Sequence, residues 1–329
     1  MEDTVLALST VMPSLLLLWY FHSRDVYPEP ARVVWTTFAL GVLIAGPVLL
    51  FALPMGAFAE QLSDPFAAGA YEAFVLAALP EETFKLAVLV WYARRHSAFD
   101  EPMDGLVYGV AASLGFATLE NILYVAQGGL GVAVLRAVTS IPGHATFGAI
   151  MGYYVGQAHF SRGRGRALLF KAWLIPVLLH GLYDTPLLAA GGASAAGYAT
   201  AASALLAVVP VILAISVISA LKMSRGLRAT QLAAGPLPER GVVPTPANPP
   251  RPAGAGLWWI AVLGGGLVAS AGGLVTIAVA LAWAQGELGD FGAGMVIATI
   301  AAFGALPLLG GLALFRLGTR RLNRGGPID

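Results

Sequence analysis

The sequence predicts an all-α, polytopic membrane protein with about nine transmembrane helices, an N-terminus outside the cell and a C-terminus in the cytoplasm. Three observations support this class: a low charge content, recurring long apolar runs and a one-sided distribution of basic residues. Of the 329 residues, 57% are hydrophobic and only 11% are charged, whereas a soluble domain carries about 25% charged residues.

The apolar runs are long enough to cross about 30 Å of hydrocarbon, which takes roughly 20 helical residues. The third run contains Pro80, so we expect a kink there, or a new helix that starts after a re-entrant piece. The nine predicted spans lie near residues 4–21, 33–54, 66–92, 104–126, 134–158, 168–189, 196–221, 257–284 and 290–315.

The basic residues set the orientation of these spans. When the loops are numbered alternately, one set together with the C-terminal tail holds 17 of the 19 Lys and Arg residues, and the other set holds none. Such a bias follows the positive-inside rule and places the basic loops in the cytoplasm. Only Lys85 and Arg136 remain, and both lie within or at the edge of a predicted span.

Composition also divides the chain into segments. We predict a seven-span membrane body over 1–222, a Pro-rich cytoplasmic linker over 223–256, a two-span extension over 257–316 and a basic tail over 317–329. The linker is polar and lacks hydrophobic periodicity, which is typical of disordered segments. The extension is rich in Gly and Ala, which suits close helix packing in lipid.

Several partners and chemistries are excluded by composition. The net charge of +1 provides no basic face for phosphates, so we expect no nucleic-acid partner, only membrane lipid and a substrate. The chain has no cysteine, which excludes thiolate metal sites and cysteine nucleophiles.

A small group of ionisable residues lies inside the predicted spans, where such residues are costly and usually functional. Counted from the cytoplasmic end of their own spans, five of them lie 13–16 residues deep. That corresponds to roughly 20–24 Å on four different helices. The shared depth predicts one site in the outer half of the bilayer, formed by Glu81, Glu120, His144, His180 and Asp184, with Glu82 beside Glu81.

Local spacing adds supporting residues. Glu81 and Lys85 are separated by four positions in the favourable order, so they are able to pair on one helix face. His180 and Asp184 have the same spacing, and Asp184 is a candidate either to orient the imidazole or to act as a ligand.

Glutamates and histidines in this pattern indicate activation of water. They are able to hold Zn²⁺ or another divalent metal, with a glutamate as general base. They are equally able to carry out acid–base hydrolysis without a metal. The candidate catalytic residues are Glu81, Glu82, Glu120, His144 and His180; candidate metal ligands are Glu82, His144 and His180; supporting residues are Lys85, Asn121 and Asp184.

Residues from about 70 to 190 also resemble the PrsW family of intramembrane proteases. The matching motifs are PEETFK (80–85), DEPMDGLVYGVAASLGFATLENILY (100–124), SIPGHATFGAIMGYYVGQA (140–158) and LLHGLYD (178–184). This family is related to the CaaX prenyl proteases and the bacteriocin-immunity membrane proteins, which share a Glu-Glu motif followed by two His motifs.

The resemblance implies a multi-pass peptidase of the bacterial cytoplasmic membrane. It implies a single-span substrate, such as an anti-sigma factor, that is cut on the outer side. The family's essential residues fall on Glu81, Glu82 and His180, and its other motifs contain Glu120 and His144. The family is treated as metalloproteases, although relatives have been argued to be metal-free glutamate proteases.

Two other functions fit the same residues. Buried Glu, Lys and His also build proton relays, so a proton-coupled transporter or channel is one alternative. Against it, the sequence shows no internal repeat with matching interrupted helices. The second alternative is a non-catalytic membrane binding protein that has kept the motifs.

Overall fold

The computed structural model describes residues 2–59, 61–161 and 164–235, and this part of the chain contains only helices, turns and irregular segments. The predicted all-α class is therefore confirmed for these residues. The α-helices are α1 Glu2–His22, α2 Ala31–Leu43, α3 Ala45–Ala59, α4 Pro65–Tyr71, α5 Leu79–Trp91, α6 Pro102–Val138, α7 Ser140–Phe160, α8 Gly165–Ala195, α9 Ala199–Leu206 and α10 Val208–Ala234.

The third predicted span divides into three helical pieces. Asp64 caps α4 by accepting a hydrogen bond from the Ala67 backbone N–H at 2.7 Å, and Pro65 occupies the first turn. A π-helical segment, Glu72–Ala78, then leads into α5. Pro80 lies in the first turn of α5, where its missing N–H costs little. The backbone stays helical from the π-helical segment into α5, and Pro80 lies in the turn where the hydrogen-bonding pattern changes from π-helical to α-helical.

The long helix α6 is the centre of the bundle. It is buried on all sides from Pro102 to Thr118 and packs against α1, α2 and α7. It continues to Val138 and is kinked at Gly129. The φ angle of Gly129 is 64°, a conformation that glycine adopts without steric cost. The loop expected over 127–133 is therefore helix with a kink, and the helical turn beyond it brings Arg136 back toward the bundle.

Glycines let α6 and α7 approach at backbone distance. A Cβ atom built on Gly152 would lie 1.9 Å from the Gly105 carbonyl oxygen, and one built on Gly109 would lie 2.2 Å from the Gly148 carbonyl oxygen. Small residues at such positions allow close van der Waals packing between helices in lipid. This contact fixes His144 on α7 relative to Glu120 on α6.

Substituting Gly152 with Ala should therefore destabilise the protein. The added methyl group meets backbone atoms that cannot rotate away, and overpacking of this kind costs about 1–3 kcal/mol. We expect a lower midpoint of thermal unfolding in detergent. Gly191→Ala on α8 is the matched control, since no atom of the described residues outside its own helical turn lies within 4 Å of a Cβ built there. Equal midpoints for the two variants would show that the helices separate without cost.

Large apolar side chains cover much of the outer surface. Trp19, Leu43, Leu50 and Leu53 are between 68% and 74% exposed, which is unfavourable in water but normal for a surface in contact with lipid. Four helical segments of the described residues are long and apolar enough to cross a membrane: 31–56, 102–160, 165–195 and 199–234. These features are those of a multi-pass membrane protein.

The number of nine spans and the orientation of the termini stay predictions. The two spans predicted over 257–284 and 290–315, and the basic tail, lie outside the described residues. Helix α10 continues through Ala234, so the first residues of the predicted linker, 223–234, are helical, and its remainder from residue 236 lies outside the described residues. The reason is tertiary packing, because Ser224, Leu227 and Gln231 in the last turns are buried against the bundle.

Candidate active site

The structure brings together all the ionisable residues that the sequence predicted for one site. Helix α5 carries the two glutamates and Lys85, α6 carries Glu120, α7 carries His144, and α8 carries His180 and Asp184. Ligating atoms of Glu81, Glu82, His144 and His180 lie within 4.8 Å of one another, and all four residues are buried. The residues that were predicted to lie at one depth in the membrane are therefore close to one another in the structure.

Lys85 lies at the centre of this group and is fully buried. Its ammonium donates to Glu82 Oε1 at 2.7 Å and to Glu81 Oε2 at 3.0 Å. It also lies 3.2 Å from Nδ1 of His144 and 4.7 Å from the centre of the Phe116 ring. Because an ammonium group only donates, Nδ1 of His144 acts as the acceptor, and its ring proton lies on Nε2.

Both histidines are arranged in the same way. Nε2 of His144 lies 3.0 Å from Glu120 Oε2, and Nε2 of His180 lies 3.0 Å from Asp184 Oδ2. Nδ1 of His144 faces Lys85, and Nδ1 of His180 lies 2.9 Å from Glu82 Oε1. Each imidazole thus has a carboxylate on its outer nitrogen and turns its inner nitrogen toward the glutamates of α5. A carboxylate on the second nitrogen is the usual way in which a ligating histidine is oriented.

Glu120 is held by a cation from the kinked end of α6. Arg136 Nη2 donates to Glu120 Oε2 at 2.6 Å, and Arg136 Nε donates to Asn121 Oδ1 at 3.0 Å. The guanidinium also stacks over the Tyr124 ring at 4.2 Å. Asn121 in turn donates to the Thr10 carbonyl of α1, so the predicted supporting amide holds Arg136 and α1 in place.

Sequence reasoning did not include Arg136 among the site residues. One signal could have identified it, because Arg136 and Lys85 are the two basic residues that the one-sided charge distribution leaves over. Phe147 was also missed; its ring stacks on His180 with centroids 5.5 Å apart. No pattern in the sequence distinguishes Phe147 from other aromatic residues of the spans.

A cavity of about 780 Å³ opens onto the site. Glu81, Glu120, His144, His180 and Asp184 all line it, whereas Glu82 and Lys85 lie behind them. The opposite walls are largely apolar and come from α3, the end of α8 and the start of α10. One side of the cavity is therefore lined by carboxylate and imidazole groups, and the other side is suited to contact with an apolar polypeptide segment.

The donor set fits a divalent metal such as zinc. Two imidazoles and two carboxylates each offer one atom, as in hydrolytic zinc sites. In addition, Glu82 Oε2 is buried without a hydrogen-bond partner, which is a costly state for a carboxylate oxygen. Lys85 already supplies one positive charge at the same place, so the geometry also supports hydrolysis without a metal.

This arrangement defines a class of protein, namely a membrane protein with a buried glutamate–histidine site of the kind that hydrolases use. A profile described as PrsW family intramembrane metalloprotease matches residues 29–215. The chain therefore belongs to this family and is a membrane peptidase, as the resemblance predicted. Membership favours proteolysis over the transporter alternative.

Individual relatives agree with the family assignment. The chain is 42% identical to Protease PrsW of Geobacillus kaustophilus over 180 residues, which is 54% of this chain and 78% of the relative. It is 37% identical to Protease PrsW of Bacillus subtilis over 181 residues, which is 54% of this chain and 81% of that protein. No solved structure matches the chain significantly.

Proposed function

We propose that this chain hydrolyses a peptide bond of a single-span membrane protein near the outer side of the bilayer of a bacterial cytoplasmic membrane. The supporting observation is the buried glutamate–histidine cluster that faces a cavity with apolar walls. The family resemblance adds the substrate class, an anti-sigma-factor-like protein with one transmembrane segment. The apolar walls suit such a segment, and the polar side suits the backbone of the scissile bond.

Glu81 is the proposed general base because it is the glutamate of α5 that lines the cavity. It accepts a proton from a water molecule while the water oxygen forms a bond to the carbonyl carbon. The C–N bond then breaks, and Glu81 returns the proton to the departing amine nitrogen. The products are a carboxylic acid terminus and an amine terminus, and transfer of the remaining proton between them gives a carboxylate and an ammonium group. The step therefore consumes one water and needs no other reactant.

Glu82, His144 and His180 are the proposed metal ligands. When bound, a divalent metal would supply Lewis-acid polarisation of the carbonyl oxygen or of the water. Glu82 is suited to this role by its unpartnered, buried Oε2. Lys85 holds both glutamates of α5 in place and balances part of their charge.

Glu120 and Asp184 are proposed as positioning residues for the two imidazoles. Each accepts from the outer ring nitrogen and thereby keeps the inner nitrogen directed at the centre of the site. Arg136 holds Glu120 on the cavity wall, where its guanidinium is also placed to bind a carbonyl oxygen of the substrate backbone.

The proposal is tested by cleavage of a purified single-span substrate in detergent, with wild-type enzyme and His180→Ala. Each is assayed with and without a strong chelator. We expect His180→Ala to lose cleavage, because an inner-facing imidazole is removed, and chelation to abolish wild-type cleavage. His159→Ala, at the exposed end of α7, is the matched control and should cut normally.

The outcomes separate the two chemistries. Cleavage that survives chelation but is lost in His180→Ala would replace the metal mechanism with one that uses glutamate alone. If His180→Ala cleaved as fast as His159→Ala, the site proposed here would be wrong.

A further inference from the structure

A second carboxylate cluster lies at the other end of the bundle, away from the proposed catalytic residues. Asp25 and Glu29 belong to the loop between α1 and α2, and Asp104 lies in the first turn of α6. Ligating oxygens of these three buried residues lie within 4.8 Å of one another. Along α6, Asp104 is 16 residues from Glu120, a distance of roughly 24 Å. The cluster is therefore separate from the catalytic site.

Gln231 of α10 and the local backbone hold one oxygen of Asp25 and one of Glu101. Asp25 Oδ1 accepts from the Tyr27 backbone N–H at 3.0 Å and from Gln231 Nε2 at 2.5 Å. Gln231 Nε2 also donates to Glu101 Oε1. The second oxygens, Asp25 Oδ2 and Glu101 Oε2, are buried and have no hydrogen-bond partner among the described residues.

The carboxyl group of Asp104, like those of Asp25 and Glu101, is held through one of its two oxygens. Its Oδ2 accepts from the backbone N–H groups of Asp100 and Glu101, each at 2.7 Å, while its Oδ1 is buried without a partner. Glu29 is fixed by the Tyr108 hydroxyl, which donates to Oε2. Asp25, Glu101 and Asp104 are at most 5% exposed. Three carboxyl groups are thus each oriented by donors on one oxygen, and no donor among the described residues reaches the other oxygen. The carboxyl groups of Glu29 and Asp104 also lie within hydrogen-bonding contact of each other.

Among the described residues, no ion pair joins a basic side chain to this cluster. The salt bridges Lys85–Glu81, Lys85–Glu82, Arg136–Glu120 and those of His144 and His180 all lie at the proposed catalytic site. Asp100 acts on Asp25 with like charge, and His22 is the neighbouring basic side chain. Burying several carboxyl groups without a counterion is costly.

We propose that Asp25, Glu29 and Asp104, with Glu101 beside them, form a binding site for a hard divalent cation of the Mg²⁺ or Ca²⁺ class. All the available ligands are oxygens, which these two cations prefer over the imidazoles and thiolates that favour zinc. The donors from Gln231, Tyr108 and the backbone would act as the outer shell that orients ligating carboxylates. A cation here would join the α1–α2 loop, the start of α6 and, through Gln231, the end of α10.

The site is tested with the full-length chain carrying Glu82→Gln and His180→Ala, so that the proposed catalytic ligands do not contribute. After removal of metals, the midpoint of thermal unfolding is measured in detergent while MgCl₂ or CaCl₂ is added alone. With one of the two cations about 100-fold above its Kd, we expect the midpoint to rise by about 5–10 °C. Comparison of the rise with MgCl₂ and the rise with CaCl₂ shows which of the two cations the site binds.

Adding Asp25→Asn should abolish that rise, because it removes one charged ligand oxygen while its carbonyl still accepts from Gln231. Asp64→Asn is the matched control, since Asn caps a helix as well as Asp does, and it should keep the full rise. If Asp25→Asn does not fold, Glu29→Gln takes its place. No rise with either cation, or an equal rise in the variant, would overturn the proposal in favour of carboxyl groups that share protons.

Discussion

Replacing Glu82 with Gln should abolish peptide-bond hydrolysis. Glu82 is fully buried and contacts both Lys85 and His180, and its second oxygen has no partner. The amide keeps the size of the side chain but removes the negative charge that holds Lys85 and would bind a metal. We expect cleavage to fall by a factor of about 10² to 10⁴, because loss of this charge also disturbs Lys85 and the neighbouring general base Glu81, whose own contribution is of that size.

The measurement is the initial rate of substrate cleavage by purified variants in detergent. Glu72→Gln is the matched control, because it makes the same chemical change on the π-helical segment just before α5. Thermal unfolding must show that Glu82→Gln is folded. A folded Glu82→Gln variant with the rate of Glu72→Gln would refute the role of this residue.

Replacing Lys85 with Met is expected to have the largest effect on stability. The ammonium lies between two buried carboxylates, and its removal leaves them facing each other without a counterion. Breaking a buried ion pair by removing one partner costs about 3–5 kcal/mol. We therefore expect a lower free energy of unfolding, together with loss of cleavage, because both glutamates lose the group that positions them.

Lys222→Met on the exposed side of α10 is the control for this change and should alter stability by less than about 0.5 kcal/mol. The triple variant Glu81→Gln, Glu82→Gln, Lys85→Met tests the cause. Removing the carboxylates as well should restore part of the stability, since no buried charge is then left unpaired. If the triple variant is less stable than Lys85→Met, uncompensated charge is not the reason for the loss.

The candidate site was predictable because buried charge in a membrane protein is rare. Glu81, Glu120, His144 and His180 stand out from apolar spans, and a helix converts their position in the sequence directly into depth. The depth of a residue in the membrane, however, does not predict which side chains it contacts. The contact of Glu120 with His144 and Arg136 depends on the kink at Gly129 and on the close approach of α6 and α7.

The carboxylate cluster at the other end of the bundle was not predictable, because its acidic residues do not stand out from an apolar span. Asp25, Glu29 and Glu101 lie in polar loops, where acidic residues are normally in water and attract no attention. Only packing of these loops against the extended α10 buries them and removes their hydrogen-bond partners.

The sequence by itself determined the helical class, the membrane-protein class and most of the charged residues that cluster in the structure, because apolar length and buried charge are local properties of the chain. The tertiary structure decided the pairing of those residues: Lys85 between two glutamates, and each histidine between a carboxylate and the centre of the site. Pairing depends on the rotation and close approach of helices, and these are set by glycine contacts and kinks between segments far apart in the sequence.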